Sequence, residues 1–136
     1  MKNELDIITM QDKINSSIKE LRSAWQTLKI RAEDKARTSG EYEKAISITI
    51  IKLKNGVEFE FEGQKILNPP VTIIEKIARG ICFKEKIAME QAEALYKNAN
   101  VVCENIRTEI NAYKSLLKFI ESVSYTHLTL PTNYSV

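Results

Sequence analysis

The residues best suited to chemistry lie in the segment IARGICFKEK, where Arg79, Phe83 and Lys84 surround a glycine. A guanidinium can hold a phosphate through two hydrogen bonds, and an aromatic ring can stack on a base. A helix that begins here adds backbone N–H groups and a dipole that favour an anion. This combination predicts binding of a phosphorylated ligand that contains a base.

A second set of polar groups follows on the predicted last helix, where Glu93, Tyr96, Asn100, Cys103 and Arg107 recur at steps of three or four residues. The stripe offers an aromatic ring, an amide and a cation, which a nucleotide needs. A purely structural interpretation stays open for both sets. In that interpretation Arg79 caps a helix, Phe83 belongs to the core, and the stripe is the rim of a dimer seam.

The sequence predicts no catalytic residue, metal site or cofactor. It contains no glycine-rich phosphate loop, no Cys-x-x-Cys motif and no carboxylate pair in an apolar setting. Cys82 and Cys103 are expected to be small buried or half-buried fillers, because nothing beside either of them marks a nucleophile. We therefore expect a protein that is not an enzyme.

The C-terminal stretch 123–136 differs from the charged helix before it. Its segment VSYTHLTLPT has no charge and matches the in-frame translation of a transposase adapter used in DNA library preparation. We expect 1–122 to form a single helix-rich domain and 123–136 to be an adapter-derived or disordered tail. The native C-terminus would then be missing, and His127, the only histidine, would lie outside the protein proper.

Composition limits the classes of partner. Twenty Lys and Arg residues face eighteen Asp and Glu residues, which leaves a formal charge of +2. This balance argues against a nucleic-acid-binding protein, although Lys13, Lys19, Lys29 and Lys35 leave weak DNA binding as an alternative. No apolar run approaches the roughly 20 residues that span a bilayer, so no membrane association is expected.

Apolar periodicity predicts a long first helix from Asn3 to about Lys35. Its stripe consists of Ile7, Met10, Ile14, Ile18, Leu21, Trp25, Leu28 and Ala32. Ser39-Gly40 predicts a break or kink. The next segment, 41–54, fits a strand or a helix, and the helix is favoured with Gly56 as its left-handed C-terminal cap. That helix aligns Tyr42, Ala45, Ile46, Thr49, Ile50 and Leu53.

A β-hairpin follows, with Glu62-Gly63 as its turn and strands of about Val57–Phe61 and Gln64–Leu67. This register sets Phe59 opposite Ile66 and Glu60 opposite Lys65.

Beyond the hairpin, Thr72 and Glu75 predict a capping box for a short helix that ends at Gly80. The last helix is predicted from about Phe83 to Glu121. Its stripe is Ala88, Ala92, Leu95, Ala99, Val102, Ile106, Ile110, Tyr113, Leu117 and Ile120. The predicted fold is mainly α (α+β), with two long helices bracketing a hairpin and a short helix. Stripes of this length require a partner helix, either from the same chain or from another copy, so helical hairpin packing with oligomerisation is expected.

The segments GEYEKAI, PPVTIIEKIARG and AEALYKNANVVCENI are similar to those of small helical phage proteins. With the size and the order of elements, most of residues 1–122 resembles the phage Thoeris anti-defence proteins of the first type. The resemblance implies a non-enzymatic viral sponge that forms homodimers or higher homo-oligomers. Such a sponge binds cyclic ADP-ribose isomers of the glycocyclic type in the cytoplasm of the infected bacterial host.

These isomers are made by TIR-domain proteins, and their capture without cleavage blocks the anti-phage signal. Some family members also hold cyclic oligonucleotides at separate sites. Guided by the resemblance, the expected ligand-binding residues are Arg79, Phe83, Lys84, Tyr96, Asn98, Asn100 and Arg107. The alternative is a helical protein-interaction module of a phage, such as a CRISPR nuclease inhibitor.

Overall fold

A computed structural model describes the backbone of residues 2–134 and the side chains of residues 4–123. In chain order the elements are helix α1 (Lys2–Lys54), strands β1 (Phe59–Phe61) and β2 (Gln64–Ile66), a 3₁₀ turn (Val71–Ile73), helix α2 (Ile74–Ile81) and helix α3 (Phe83–Tyr134). The two strands form an antiparallel hairpin. The prediction of a mainly α fold, with two long helices bracketing a hairpin and a short helix, is confirmed.

Helix α1 passes through Gly40 without the predicted break. A single glycine in a helix costs about 0.5–1 kcal/mol relative to alanine, and the long flanking turns offset that cost. The helix ends where predicted, because Gly56 has a φ of +79° and the Val57 N–H donates to the Lys52 carbonyl at 3.0 Å. The favoured helical interpretation of 41–54 is therefore confirmed.

The buried and half-buried positions of both long helices alternate between steps of three and four residues, which is a heptad spacing. In α1 they include Met10, Ile14, Ser17, Leu21, Ala24, Leu28, Arg31, Lys35, Thr38, Tyr42, Ala45 and Thr49. In α3 they include Glu85, Met89, Ala92, Tyr96, Ala99, Cys103, Ile106, Ile110, Tyr113, Leu117 and Ile120.

Parts of both predicted stripes are wrong. Trp25, Ala32, Ala88, Leu95 and Val102 are exposed. Except at Ala88, whose neighbour Met89 is larger, the prediction chose the larger or more apolar side chain of two neighbours, whereas the heptad spacing sets which neighbour faces the other helix.

The chain divides into two compact units. The two-helix unit comprises residues 1–28 and 99–136, and its core contains Leu21, Cys103 and Ile110, with Ile18, Ala24, Leu28 and Ile106 packed against them. The hairpin unit comprises residues 29–98, and its core contains Leu53, Ile74 and Ala78, with Ile46, Ile50, Phe59, Ile66, Ile77 and Ile81 packed against them. The core of the hairpin unit therefore combines residues of α1 and α2, and Phe59 and Ile66 of the hairpin pack against it.

The hairpin has the predicted register, with Phe59 opposite Ile66 and Glu60 opposite Lys65. Its strands are shorter than predicted. Glu62 and Gly63 have φ values of +52° and +74°, as a two-residue type I′ turn requires. The apolar face of the hairpin consequently points at the helices.

The predicted caps of α2 are wrong. The 3₁₀ turn precedes this helix, and no side chain caps it, so Thr72 and Glu75 do not form a capping box. The helix does not end at Gly80 but continues to Ile81, and the Cys82 N–H then donates to the Ala78 carbonyl at 3.0 Å. Gly80 thus occupies a helical position in the last turn.

Helix α3 continues beyond Glu121 to Tyr134. The side chains of 124–136, including His127, lie outside the described residues, so the assignment of this stretch as an adapter-derived tail stays a prediction. Within the described part of the chain, no helix is long and apolar enough to cross a membrane.

Candidate functional site

The junction of α2 and α3 brings Arg79, Phe83 and Lys84 within six residues of one another, with all three side chains exposed. Phe83 retains 43% of its surface, so it is not a core residue. Arg79 does not cap a helix, because its Nη2 donates to Glu75 Oε1 at 2.8 Å across one turn. Phe83 is therefore a surface residue, and Arg79 has a structural partner on its own helix.

Arg79 also lines an open polar groove of about 320 Å³ with Thr72, Glu75 and Lys76. The groove contains two cations and one carboxylate, so its charge favours an anion. Sequence analysis did not identify Lys76. The sequence signal that could have identified Lys76 is its spacing of three residues from Arg79, which puts both side chains on one face of a helix.

An apolar groove of about 330 Å³ lies on the hairpin side of α2. Its lining consists of Phe61, Ile66, Ile73, Lys76, Ile77 and Gly80. Lys76 lines this groove as well as the polar one, so its long side chain borders both. Helix α2 therefore presents an apolar surface and a cationic surface that share a lysine.

Tyr96 is half-buried, and Lys35 Nζ lies 4.7 Å from the centre of its ring. A cation over a ring face at this distance contributes roughly 0.5–1 kcal/mol when the pair is exposed. The ring is thus already partnered by a lysine of α1. Asn98 lies two residues further along α3 and is exposed.

Asn100 and Arg107 are exposed and belong to the two-helix unit, whereas the other five predicted ligand-binding residues belong to the hairpin unit. Cys103 is a core residue of the two-helix unit and Tyr96 is half-buried, so these two members of the predicted stripe are packing residues, unlike Asn100 and Arg107. Residues 98 and 100 also point about 200° apart on a helix. The seven predicted residues are therefore not gathered within one unit.

The two-helix unit has a polar groove of about 350 Å³ lined by Thr9, Asp12, Lys13, Ser16, Ser17, Glu20, Glu109 and Tyr113. The Tyr113 hydroxyl donates to Glu109 Oε1 at 2.7 Å, and this hydrogen bond raises the pKa of Tyr113. Lys13 Nζ lies 5.7 Å from the centre of the same ring. Three carboxylates against one lysine make this groove unsuited to an anion.

Both cysteines are free and buried, as predicted. The Cys82 sulfur lies 3.4 Å from Thr49 Oγ1, which places it inside the packing of α1 against the start of α3. Among the residues whose side chains are described, no group of three His, Cys, Asp or Glu could hold a metal ion.

Exposed apolar side chains lie near the N-terminus of α1 and toward the C-terminus of α3. Leu5 and Ile8 are exposed on α1, and Leu116 and Phe119 are exposed on α3. Leu116 and Phe119 are three residues apart and so share one face of the helix. We call Leu116 and Phe119 the apolar surface of the two-helix unit.

No protein-family model, curated protein or solved structure matches this chain. A functional assignment therefore depends on the residues of the chain itself.

Proposed function

We propose that this protein is a non-enzymatic sponge that binds cyclic ADP-ribose isomers of the glycocyclic type and withholds them from the Thoeris effector. It acts as a homodimer or higher homo-oligomer in the cytoplasm of an infected bacterium. The observation that carries the proposal is the groove in which Arg79 and Lys76 face solvent together, with the exposed Phe83 four residues after Arg79 in the sequence.

The pyrophosphate of the ligand binds between the two cations. Arg79 is paired with Glu75 in the free protein, but both side chains are more than half exposed. An exposed ion pair is worth about 0–1 kcal/mol, so Arg79 can exchange this carboxylate for a phosphate at little cost. A phosphate accepts two hydrogen bonds from a guanidinium, and Lys76 adds a second positive charge.

Sequestration requires tight binding, and nanomolar affinity corresponds to about −12 kcal/mol. One stacked aromatic ring contributes only about 1–3 kcal/mol, so several contacts in an enclosed site are needed. The grooves on one chain are open, and a second copy supplies the missing walls. The apolar surface of the two-helix unit supports self-association, because Phe119 leaves 66% of its surface in solvent.

Calorimetric titration of the full chain with cyclic ADP-ribose isomers tests the proposal. We expect at least one isomer to bind, and we expect Arg79→Ala and Phe83→Ala each to weaken binding tenfold or more. Arg22→Ala is the matched control, since Arg22 is an exposed arginine of the other unit. Absence of binding by every isomer would contradict the proposal. Recovery of linear ADP-ribose after incubation would contradict the non-enzymatic mechanism.

A helical protein-interaction module is the second candidate. It is favoured by Trp25 and Phe119, two exposed aromatic side chains on the outer faces of the long helices. Aromatic residues dominate many protein–protein interfaces. In this case cyclic nucleotides would leave the melting temperature unchanged, and Trp25→Ala would weaken binding of a protein partner such as a CRISPR nuclease.

A further inference from the structure

The polar groove of the two-helix unit contains a hydroxyl group that is largely buried and yet has no partner. Ser17 lines this groove and is only 5% exposed. Among the described residues its hydroxyl makes no hydrogen bond, whereas every fully enclosed polar atom of a described side chain has a partner. The Ser17 hydroxyl therefore opens on the groove, where a bound molecule can satisfy it.

Two carboxylates of the groove also lack a partner. Asp12 and Glu20 are exposed on α1, and their spacing of eight residues separates them by about 12 Å along the helix axis. Ser16 lies midway, four residues from each, so the three side chains follow one face of the helix. Within the described part of the chain, no ion pair includes either carboxylate. The groove thus presents two separate negative charges with hydroxyl groups between them.

Helix α3 supplies an aromatic ring to the same groove. The pKa of Tyr113 is raised mainly by its hydrogen bond to Glu109, and the charge of Glu20 on α1 adds to this effect, so ring and carboxylate face each other across the groove. Lys13 Nζ lies 5.7 Å from the centre of the Tyr113 ring. The chain's own lysine therefore shows that the groove accommodates an ammonium group near this ring.

Charge and shape together define the class of ligand. Three carboxylates against one lysine favour a cation, and no group of described His, Cys, Asp or Glu side chains could hold a metal ion. We propose that the groove binds an elongated aliphatic polyamine, with ammonium groups at Asp12 and Glu20 and an N–H donated to the Ser17 hydroxyl. The ammonium groups of such a chain resemble that of lysine and are protonated at neutral pH.

The groove has a volume of about 350 Å³, which is at the lower end of the size of ligand sites and suits a slender chain such as spermidine. All of its lining residues belong to the two-helix unit, whereas Arg79 and Phe83 belong to the hairpin unit. The inference therefore goes beyond the proposed function, and it stands or fails independently of cyclic ADP-ribose binding.

Calorimetric titration of the full chain with spermidine at low ionic strength tests the proposal, since salt screens exposed charges. We expect the wild type to bind and Asp12→Asn/Glu20→Gln to weaken binding at least tenfold. Glu43→Gln/Glu90→Gln is the matched control, because it removes the same charge from exposed positions of the hairpin unit. It should change the affinity less than twofold.

Two single variants locate the ligand within the groove. Ser17→Ala should weaken binding about threefold, because it removes the hydroxyl without disturbing the helix. Lys13→Gln should strengthen binding about threefold, because it removes the ammonium group that competes for the ring and the carboxylates. Lys44→Gln, an exposed lysine of the hairpin unit, is its control and should have no effect.

Four results would overturn the proposal. A wild type that does not bind spermidine excludes the site. Equal weakening by the two double variants would show that spermidine is attracted only by the overall charge. Magnesium ions that bind as tightly as spermidine would show that the groove does not select an elongated cation. An unchanged affinity in both Ser17→Ala and Lys13→Gln would place the ligand outside this groove.

Discussion

The two units of the molecule bury their cores to different depths. In the hairpin unit Leu53 and Ala78 are 1% and 0% exposed, whereas Leu21 and Ile110 of the two-helix unit are 8% and 6% exposed. The difference follows from the number of elements around each position. Two helices cover a side chain from two directions, while the hairpin and α2 add a further layer. A pair of helices alone therefore leaves its seam accessible from the side.

This comparison also separates the roles of the two units. The hairpin unit completes its own core and carries the cationic and apolar grooves. Both units expose large apolar side chains, and in the two-helix unit Leu116 and Phe119 share one face of α3. We expect the first unit to bind the ligand and the second to pair with another copy.

The largest effect that would test this comparison comes from truncating a core leucine in each unit. Leu53→Ala should lower the free energy of unfolding by about 3–5 kcal/mol, because a fully enclosed site cannot collapse around the cavity. Leu21→Ala should cost about 2–3 kcal/mol, because its partly accessible seam can relax. Urea denaturation of both variants measures the difference. Equal losses in the free energy of unfolding would show that the difference in burial between Leu53 and Leu21 does not affect stability.

The next largest effect concerns self-association. Phe119→Glu replaces an exposed apolar ring with a charge, and burying such a ring contributes about 1.5–3 kcal/mol. The dimer dissociation constant should rise about tenfold to a hundredfold, since each 1.4 kcal/mol is a factor of ten. Analytical ultracentrifugation measures it. Ile51→Glu is the control, because Ile51 is an exposed apolar residue of the hairpin unit. A monomeric wild type, or an Ile51→Glu effect of the same size, would contradict the assignment.

The sequence predicted the hairpin more accurately than the long helices. Its register depends on the turn residues Glu62-Gly63 and on an alternating pattern, which are local signals. Which face of a long helix is buried depends on the helix that it packs against. At two adjacent positions, both side chains are often suitable for burial. Trp25 and Ala24 are such a pair, and the heptad spacing buries the smaller one.

The candidate site was predictable only where its residues are neighbours in sequence. Arg79, Phe83 and Lys84 are close because one residue separates α2 from α3. The pairing of Tyr96 with Lys35 joins two helices far apart in sequence, and no local pattern contains it. The apolar groove was also missed, because Phe61 and Gly80 are brought together by the docking of the hairpin on α2.

A smaller effect on stability is expected from replacing glycines of the hairpin unit with alanine. All four glycines of the chain lie in the hairpin unit, which contains the turns at Gly56 and Gly63. Gly56→Ala should destabilise the protein by about 1–2 kcal/mol, because alanine is strained at a φ of +79°. Its Cβ would also lie 3.3 Å from Asn68 Oδ1. Gly40→Ala should instead stabilise it by about 0.5–1 kcal/mol, since this glycine is helical and unobstructed. Thermal unfolding of the pair checks both signs, and stabilisation by Gly56→Ala would show that the turn is not required.

The smallest expected effect is a pH dependence in the two-helix unit. The hydrogen bond from Tyr113 to Glu109 raises the pKa of Tyr113, with burial and the charges of Glu109 and Glu20 adding to it. The folded protein therefore holds this proton more tightly than the unfolded chain does. The resulting stabilisation is complete below the ordinary tyrosine pKa of about 10 and is lost as the pH rises through the higher folded value.

Tyr113→Phe should remove this component, so that its free energy of unfolding falls less steeply with pH above 10 than that of the wild type. Glu109→Gln should act in the same direction, because it removes the charge that disfavours the tyrosinate. Urea denaturation across this pH range measures both, and parallel curves for wild type and Tyr113→Phe would contradict the prediction. Because Tyr113 and Glu109 lie on one helix, their hydrogen bond does not hold α1 against α3. The two-helix unit then depends on its apolar seam, and Phe119→Glu tests whether a second copy adds to it.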